Sequence, residues 1–407
     1  LFEGYGLELE YMIVDEKTLA VLPATDKVLH AVAGEYADEV ELGDLAWSNE
    51  LVLHVIELKT LGPVPSLRGL ARSFDEHLDR IRGILAPLHA RLMPGAAHPW
   101  MDPERETVLW PHAYNPVYET LDRIFNCQGH GWSNIQCTHI NLPFAGDEEF
   151  GRLHAAVRCV LPIIPAIAAS SPIFDGRVTG IRDSRLDVYR ANSSRIPSVT
   201  GLVIPEPVFS RSEYEREILE PMYAEIAEHD PEGILRYEWL NARGAIARFD
   251  RSAIEIRIVD SQECPACDVA VAFAVSAVAR ALVEERWQDF RAQRQWPTER
   301  LNDILVATTR DAEDAAIADR DYLRAFGYPG ESCTAGDLWR YLADGALAAT
   351  EADGVDWERP FDVILRRGTL ATRIVTALDG DVSMDRIKRV YTRLCDCLDN
   401  GEMFDEA

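Results

Sequence analysis

Residues Gly6-Leu-Glu-Leu-Glu-Tyr-Met-Ile-Val14 alternate with a period of two, and the alternation sets two glutamates inside a strand. Leu7, Leu9, Tyr11 and Ile13 fall on one face; Glu8 and Glu10 share the other with Met12 and Val14. Glutamate is a poor strand residue, and two on one face repel. At a separation of roughly 4 Å and an effective dielectric near 20, that repulsion approaches about 4 kcal/mol. A strand of this kind needs a fold that brings positive charge to it.

The same pattern recurs along the chain. In Ser252-Ala-Ile-Glu-Ile-Arg-Ile-Val-Asp260 the isoleucines point one way and Glu255 and Arg257 the other. In Asn134-Ile-Gln-Cys-Thr-His-Ile-Asn-Leu142, His139 and Asn141 share a face. In Asn49-Glu-Leu-Val-Leu-His-Val-Ile-Glu-Leu-Lys59, Glu50 and Glu57 flank an apolar run, and their separation of seven is odd. A regular strand would send them to opposite faces, so Glu50 must precede the strand or follow a bulge to join Glu57. Any one of these residues alone reads as a solvated strand face, and a lone His139 as an ordinary histidine. Four such strands together read as a cation site. Carboxylate oxygens with an imidazole suit Mg²⁺ or Mn²⁺. More carboxylates than one ion needs point to two or three ions, as in clamping the β- and γ-phosphates of a nucleotide.

Charge and composition exclude other classes. The 407 residues carry 41 basic and 68 acidic side chains, a formal charge of −27, which argues against nucleic acid or an anionic membrane surface. No run of 18 apolar residues is present; the longest apolar stretch, 157–169, contains Arg158 and two prolines and reads as a buried helix. No signal peptide is visible, and the opening without Met suggests that a short leader precedes the chain. No GxxxxGK[ST] loop occurs, and Gly4-Tyr5-Gly6 precedes a strand rather than a helix, so neither common glycine-rich nucleotide loop is present. Eight irregularly spaced cysteines do not make a disulfide framework, and a reducing cytoplasm is the expected location. Cys264-Pro-Ala-Cys267 lacks a second pair to complete a zinc site and reads as structural or incidental.

Strand-like segments cover 5–15, 50–60, 133–143 and 246–260, and helical patterns cover 66–92, 147–170, 211–228, 265–286, 298–312, 334–349 and 382–399. Strands arriving singly between long helical pieces predict an α+β fold. Residues 1–290 form the expected catalytic unit. Residues 291–407 form a largely helical portion packed on it, within the same domain or as a subdomain.

The ordered set of motifs resembles the glutamate–cysteine ligase and carboxylate–amine ligase family, whose catalytic sheet is like that of glutamine synthetase. The matching pieces are Gly-Leu-Glu-Leu-Glu at 6–10, the Glu50/Glu57 pair, His139-Ile-Asn, Ala169-Ser-Ser-Pro-Ile-Phe-Asp-Gly176 and Arg248-Phe-Asp-Arg-Ser-Ala-Ile-Glu-Ile-Arg257. The resemblance implies a curved, mostly antiparallel sheet with a concave active site and helices on its outer face. It implies one metal at Glu10, Glu50 and Glu57 and another at Glu8, His139 and Glu255, with a third position sharing some of these. Arg257 and Arg248 would act on the phosphates. Arg182, Arg185 and Arg190 are candidates for a substrate carboxylate or the phosphates, against the alternative of a surface helix start; Asn141 is a further substrate candidate. The implied reaction uses ATP to convert the γ-carboxylate of glutamate into an acyl phosphate, which an amine then attacks. Cysteine, and so glutathione biosynthesis, is the best-known acceptor, with other amines open. A homo-oligomer is compatible with this reading. Three alternatives stand beside it: a phosphotransferase of the guanidino-kinase type on the same sheet, a non-catalytic regulatory relative, and ligation onto a peptide or protein carboxylate.

Overall fold

The computed structural model describes residues 1–348 and 355–405. The strand that opens the chain, β1 (Gly6–Asp15), is the centre of an eight-stranded sheet. On one side it pairs with β4 (Val55–Thr60), which continues to β3 (Leu45–Asn49) and β2 (Glu39–Glu41). On the other side it pairs with β6 (Cys137–Pro143), followed by β8 (Ala253–Asp260) and β7 (Ala245–Arg248). The far half of β1 pairs with β5 (Ala90–Met93). Every ladder is antiparallel. The expected α+β architecture with an open antiparallel sheet is what the chain adopts.

Strand alternation divides the sheet into two faces. Leu7, Leu9, Tyr11 and Ile13 join Ile56, Leu58, Ile140, Leu142, Ile254 and Ile256 in the main core. Helices α1 (Leu70–Leu85), α3 (Gly146–Val160) and α5 (Pro265–Val283) cover that face, with α2 (Asn115–Phe125) lying between the first two in the chain. The helix α5 is buried nearly all round, as a helix apolar on every side must be. It is long and apolar enough to cross a membrane by length and composition alone, but it packs against α1 and α3 inside the fold. Arg158 on α3 is buried as expected, its guanidinium donating to the carbonyls of Pro205 (2.7 Å) and Trp296 (2.9 Å).

The opposite face is divided along its length. Met12 and Val14 at the far end of β1 form a second core with Leu370, Ile374, Ile387, Tyr391 and Leu394. The last three of these lie on the C-terminal helix Met384–Asn400. The C-terminal residues thus cap one end of the concave face, and Glu8 and Glu10 remain at the other. Trp339 and Phe361 belong to the main core with Leu7 and Leu9, so the described residues after 290 share both cores with the sheet.

Several segments differ from the sequence expectation. The strand expected over 50–60 begins at Val55, after a loop, and is preceded by a β2–β3 hairpin that the pattern did not reveal. The segment 246–260 is a hairpin, turned at Phe249–Ser252, where Ser252 adopts the left-handed region at φ 54°. Residues His130–Ser133 form a helical turn ahead of β6. The helical pattern at 66–92 ends early, because β5 occupies its last residues. The helix expected over 334–349 starts at Ala335 and is helical through Leu347; residue 349 lies outside the described residues.

Candidate active site

Register brings the acidic residues together. Glu10 lies opposite Glu57, Glu8 opposite His139 on one side and Lys59 on the other, and Glu255 opposite Asn141. Glu50 directly follows β3, in the loop that leads to β4. Its odd spacing from Glu57 therefore does not matter, since the two do not share a strand. Ligand atoms of Glu10, Glu50 and Glu57 all lie within 4.8 Å of one another, as do those of Glu8, Glu57 and His139, and those of Glu10, Cys137 and His139.

These groups form the floor of a cavity of about 470 Å³, within the rough range of 300–1,000 Å³ common for small-molecule sites. Seven carboxylates line it, those of Glu8, Glu10, Asp38, Glu39, Glu50, Glu57 and Glu255, against the five cations Lys59, Arg185, Arg248, Arg251 and Arg257. The imbalance is felt by the carboxyls. Burial, then the charges of Glu10 and Glu57, push Glu50 well above the usual carboxylate range. Burial and the charge on Glu8 push Glu57 up to about 7, despite Lys59 at 3.1 Å and a 2.5 Å hydrogen bond from Ser48 Oγ. Burial opposes charge on Glu8 too, but hydrogen bonding and the charge of His139 hold its carboxyl well below the usual range. His139 Nδ1 lies 3.0 Å from Glu8 Oε2.

The grouping differs from the expected one at Glu255. Its carboxylate is held by Arg257 at 2.9 Å and Arg248 at 3.2 Å, and its partner on β6, Asn141, is two residues along from His139. In the second cluster Glu57 stands where Glu255 was expected. Arg248 is further committed to Asp250 through Nε (3.1 Å) and Nη2 (2.9 Å), so it orients Glu255 with a guanidinium already filled. Arg257 donates to the Asn241 carbonyl at 3.2 Å and lines the cavity.

Of the three candidate arginines after Ser171, only Arg185 lines the cavity. It starts the short helix α4 (Ser184–Tyr189) and is buried against Asp260, Nε to Oδ1 2.5 Å. Arg182 and Arg190 are half-buried and outside the lining: they flank α4, whose Arg185 and Tyr189, four residues apart on one side, are the ones that reach the cavity. Asn141 donates to Glu8 Oε1 at 2.9 Å and is likewise not part of the lining. Cys264 and Cys267 are buried with Sγ atoms 3.5 Å apart, away from the cavity.

Sequence reasoning missed Lys59, Ser48, Cys137, Tyr189 and the Asp260 that anchors Arg185. Cys137 was findable, since it shares the period-two face of His139 and Asn141. Asp260 was not, because the register shift between Ile256 and Val259 breaks the alternation that would place it.

The profile of glutamate–cysteine ligase family 2 matches residues 5–393. The chain belongs to glutamate–cysteine ligase family 2. Family membership makes it a carboxylate–amine ligase. A protein of Archaeoglobus fulgidus with no assigned activity is 36% identical over 280 residues, 69% of this chain and 75% of that one. A Rubrobacter xylanophilus protein, provisionally named glutamate–cysteine ligase 2-3, is 26% identical over 90% of this chain and 93% of its own length. Among solved structures, the complex between Prokaryotic Ubiquitin-like Protein Pup and its Ligase PafA aligns with a TM-score of 0.45 at 12% identity, covering 96% of this chain and 72% of that one. That likeness is too distant to carry an argument about chemistry.

Proposed function

We propose that this family 2 ligase uses ATP and divalent cations to activate a carboxylate, the γ-carboxylate of glutamate, and couples it to a small amine. The observation that supports this reading is the convergence of Glu8, Glu10, Glu50, Glu57 and His139 on one buried sheet face, with Arg257 on the next strand but one.

The residues fit a hard divalent ion. Glu10, Glu50 and Glu57 offer three oxygen ligands, and two of them carry raised pKa values that a cation would relieve. Glu8 and His139 with Glu57 would hold a second. Such ions supply positive charge to the β- and γ-phosphates of the nucleotide. The chain's own residues do the rest. Arg257 would stabilise the transferring phosphoryl group and the resulting acyl phosphate, for which a planar guanidinium is suited. Glu255 and Arg248 hold Arg257 in place, and Arg185, fixed by Asp260, offers charge for a substrate carboxylate. The carboxylate oxygen attacks the γ-phosphorus and ADP leaves. The amine nitrogen then attacks the acyl carbon, and inorganic phosphate leaves. A cytoplasmic location agrees with the free cysteines, of which all but Cys333 are buried.

An ADP-release assay with Mg²⁺ or Mn²⁺, glutamate and a panel of amines tests this. ADP and phosphate should form together and require both carboxylate and amine. ADP without phosphate, in the presence of a phosphorylated product, would identify a phosphotransferase. No ADP with any pair would favour a regulatory relative.

A further inference from the structure

The hard-ion reading leaves one side chain on the cavity floor unused. Cys137 Sγ lies 3.0 Å from His139 Nε2 and 3.4 Å from both carboxylate oxygens of Glu10. His139 Nε2 is 4.0 Å from Glu10 Oε1. A tetrahedral zinc ion with Zn–S near 2.3 Å and Zn–N or Zn–O near 2.0 Å spaces its ligands roughly 3.3–3.6 Å apart. The three observed separations bracket that value, so small side-chain shifts would admit the ion.

The imidazole is also set up for it. Nδ1 faces Glu8 Oε2 at 3.0 Å, the carboxylate partner that a metal-binding histidine normally has on its other nitrogen. With Nδ1 held by Glu8, Nε2 faces Cys137 and Glu10. A site for magnesium alone has no use for sulfur, whereas a thiolate selects zinc-class ions over hard ones.

We propose that Glu10, Cys137 and His139 form a site for a thiophilic divalent ion of the zinc class, overlapping the hard-ion cluster through Glu10 and His139. Binding forms the metal–sulfur and metal–nitrogen bonds and releases the protons held on Sγ and Nε2 to solvent. Zinc entry draws Glu10 away from the Glu10–Glu50–Glu57 position and His139 away from the Glu8–Glu57–His139 position, and so competes with the hard ions and inhibits the ligase. The inference shares Glu10 and His139 with the proposed function.

Cobalt reports on the sulfur directly. The full chain titrated with Co²⁺ should develop a near-ultraviolet thiolate-to-cobalt charge-transfer band, which Zn²⁺ removes. Cys137→Ser should lack the band and bind Zn²⁺ at least about tenfold more weakly in chelator competition. Glu50→Gln should keep the band while losing Mn²⁺ affinity. A native protein without the band, or a band unchanged in Cys137→Ser, overturns the inference even if that variant folds poorly. ADP release without the band would leave the ligase reading standing alone; the band without ADP release for any carboxylate and amine would leave the zinc-class site alone.

Discussion

Glu10 of β1 stands directly opposite Glu57 of β4, two buried carboxylates in a cross-strand position where opposite charges are the stabilising pair. Glu57, raised to about 7 from an ordinary 4.5, keeps its proton in the folded state where the unfolded chain has lost it. The folded state therefore binds more protons across that window, and this group's contribution to stability falls as pH rises through it. A divalent ion needs the carboxylates deprotonated. The gain in melting temperature on adding Mg²⁺ or Mn²⁺ should be larger near pH 8 than near pH 5. Equal gains would argue against an ion at this pair.

Glu50→Gln removes one carboxylate from the repelling group without touching a sheet ladder. Without divalent ions the variant should melt higher than the native protein, because folding no longer has to bury or protonate a carboxyl that burial, Glu10 and Glu57 all oppose ionising. Its affinity for Mn²⁺, measured calorimetrically, should fall by at least roughly 10- to 100-fold. A variant that is both less stable and unchanged in affinity would refute the assignment.

Arg257→Lys keeps the charge but loses the planar fork. Glu255 retains Arg248 at 3.2 Å, so the fold should persist. Turnover should drop about 100-fold at saturating substrate. Wild-type kcat in the ADP-release assay would remove Arg257 from the transition state.

The buried Arg185–Asp260 pair predicts a stability asymmetry. Asp260→Ala strands a guanidinium that is only 1% exposed, and should cost about 3–5 kcal/mol in urea unfolding. The double variant Arg185→Met/Asp260→Leu should be less damaged than Asp260→Ala alone. Additive losses in the double variant would mean that the pair itself, rather than the orphaned charge, carries the energy.

Acid sensitivity should come from buried neutral histidines. Burial lowers His54 and His98 to about 4, and each lies against a backbone carbonyl, of Ser133 and Leu19. Between the ordinary 6.5 and about 4 the unfolded chain binds protons that the folded state refuses. Stability contributed by these groups is therefore complete above that window and lost as pH falls through it. The urea midpoint of His98→Gln should depend less on pH between about 4 and 6.5 than that of the native protein.

Much of the site was legible because strand alternation is a two-state code. Glu8, Glu10, His139 and Glu255 were placed on one face by counting, and the register put them there. Counting failed where the backbone leaves the strand. Glu50 reaches Glu57 from a loop, and the bulge beyond Ile256 hides Asp260. Ligand grouping was not legible at all, since it depends on which strands become neighbours. Two arginines claim Glu255, and Glu57 takes its place beside Glu8 and His139. The arginine-rich run after Ser171 was ambiguous for a different reason. Only Arg185 of the three falls within the short helix Ser184–Tyr189, and nothing local shows where that helix begins or which side of it meets the sheet.

The core helix Pro265–Val283 has a consequence for how the chain must be made. It leaves the ribosome as 19 residues, 18 of them in a window with a mean hydropathy of 1.9, a composition that a bilayer would accept. Helices α1 and α3 precede it and can shelter two of its sides at once. Phe273, however, waits for Trp357, the ring that stacks on it at 5.2 Å and is translated more than 80 residues later. Between those two moments the nascent ligase carries an open seam along its most lipid-like segment, the interval in which chaperones and translocation machinery compete for it.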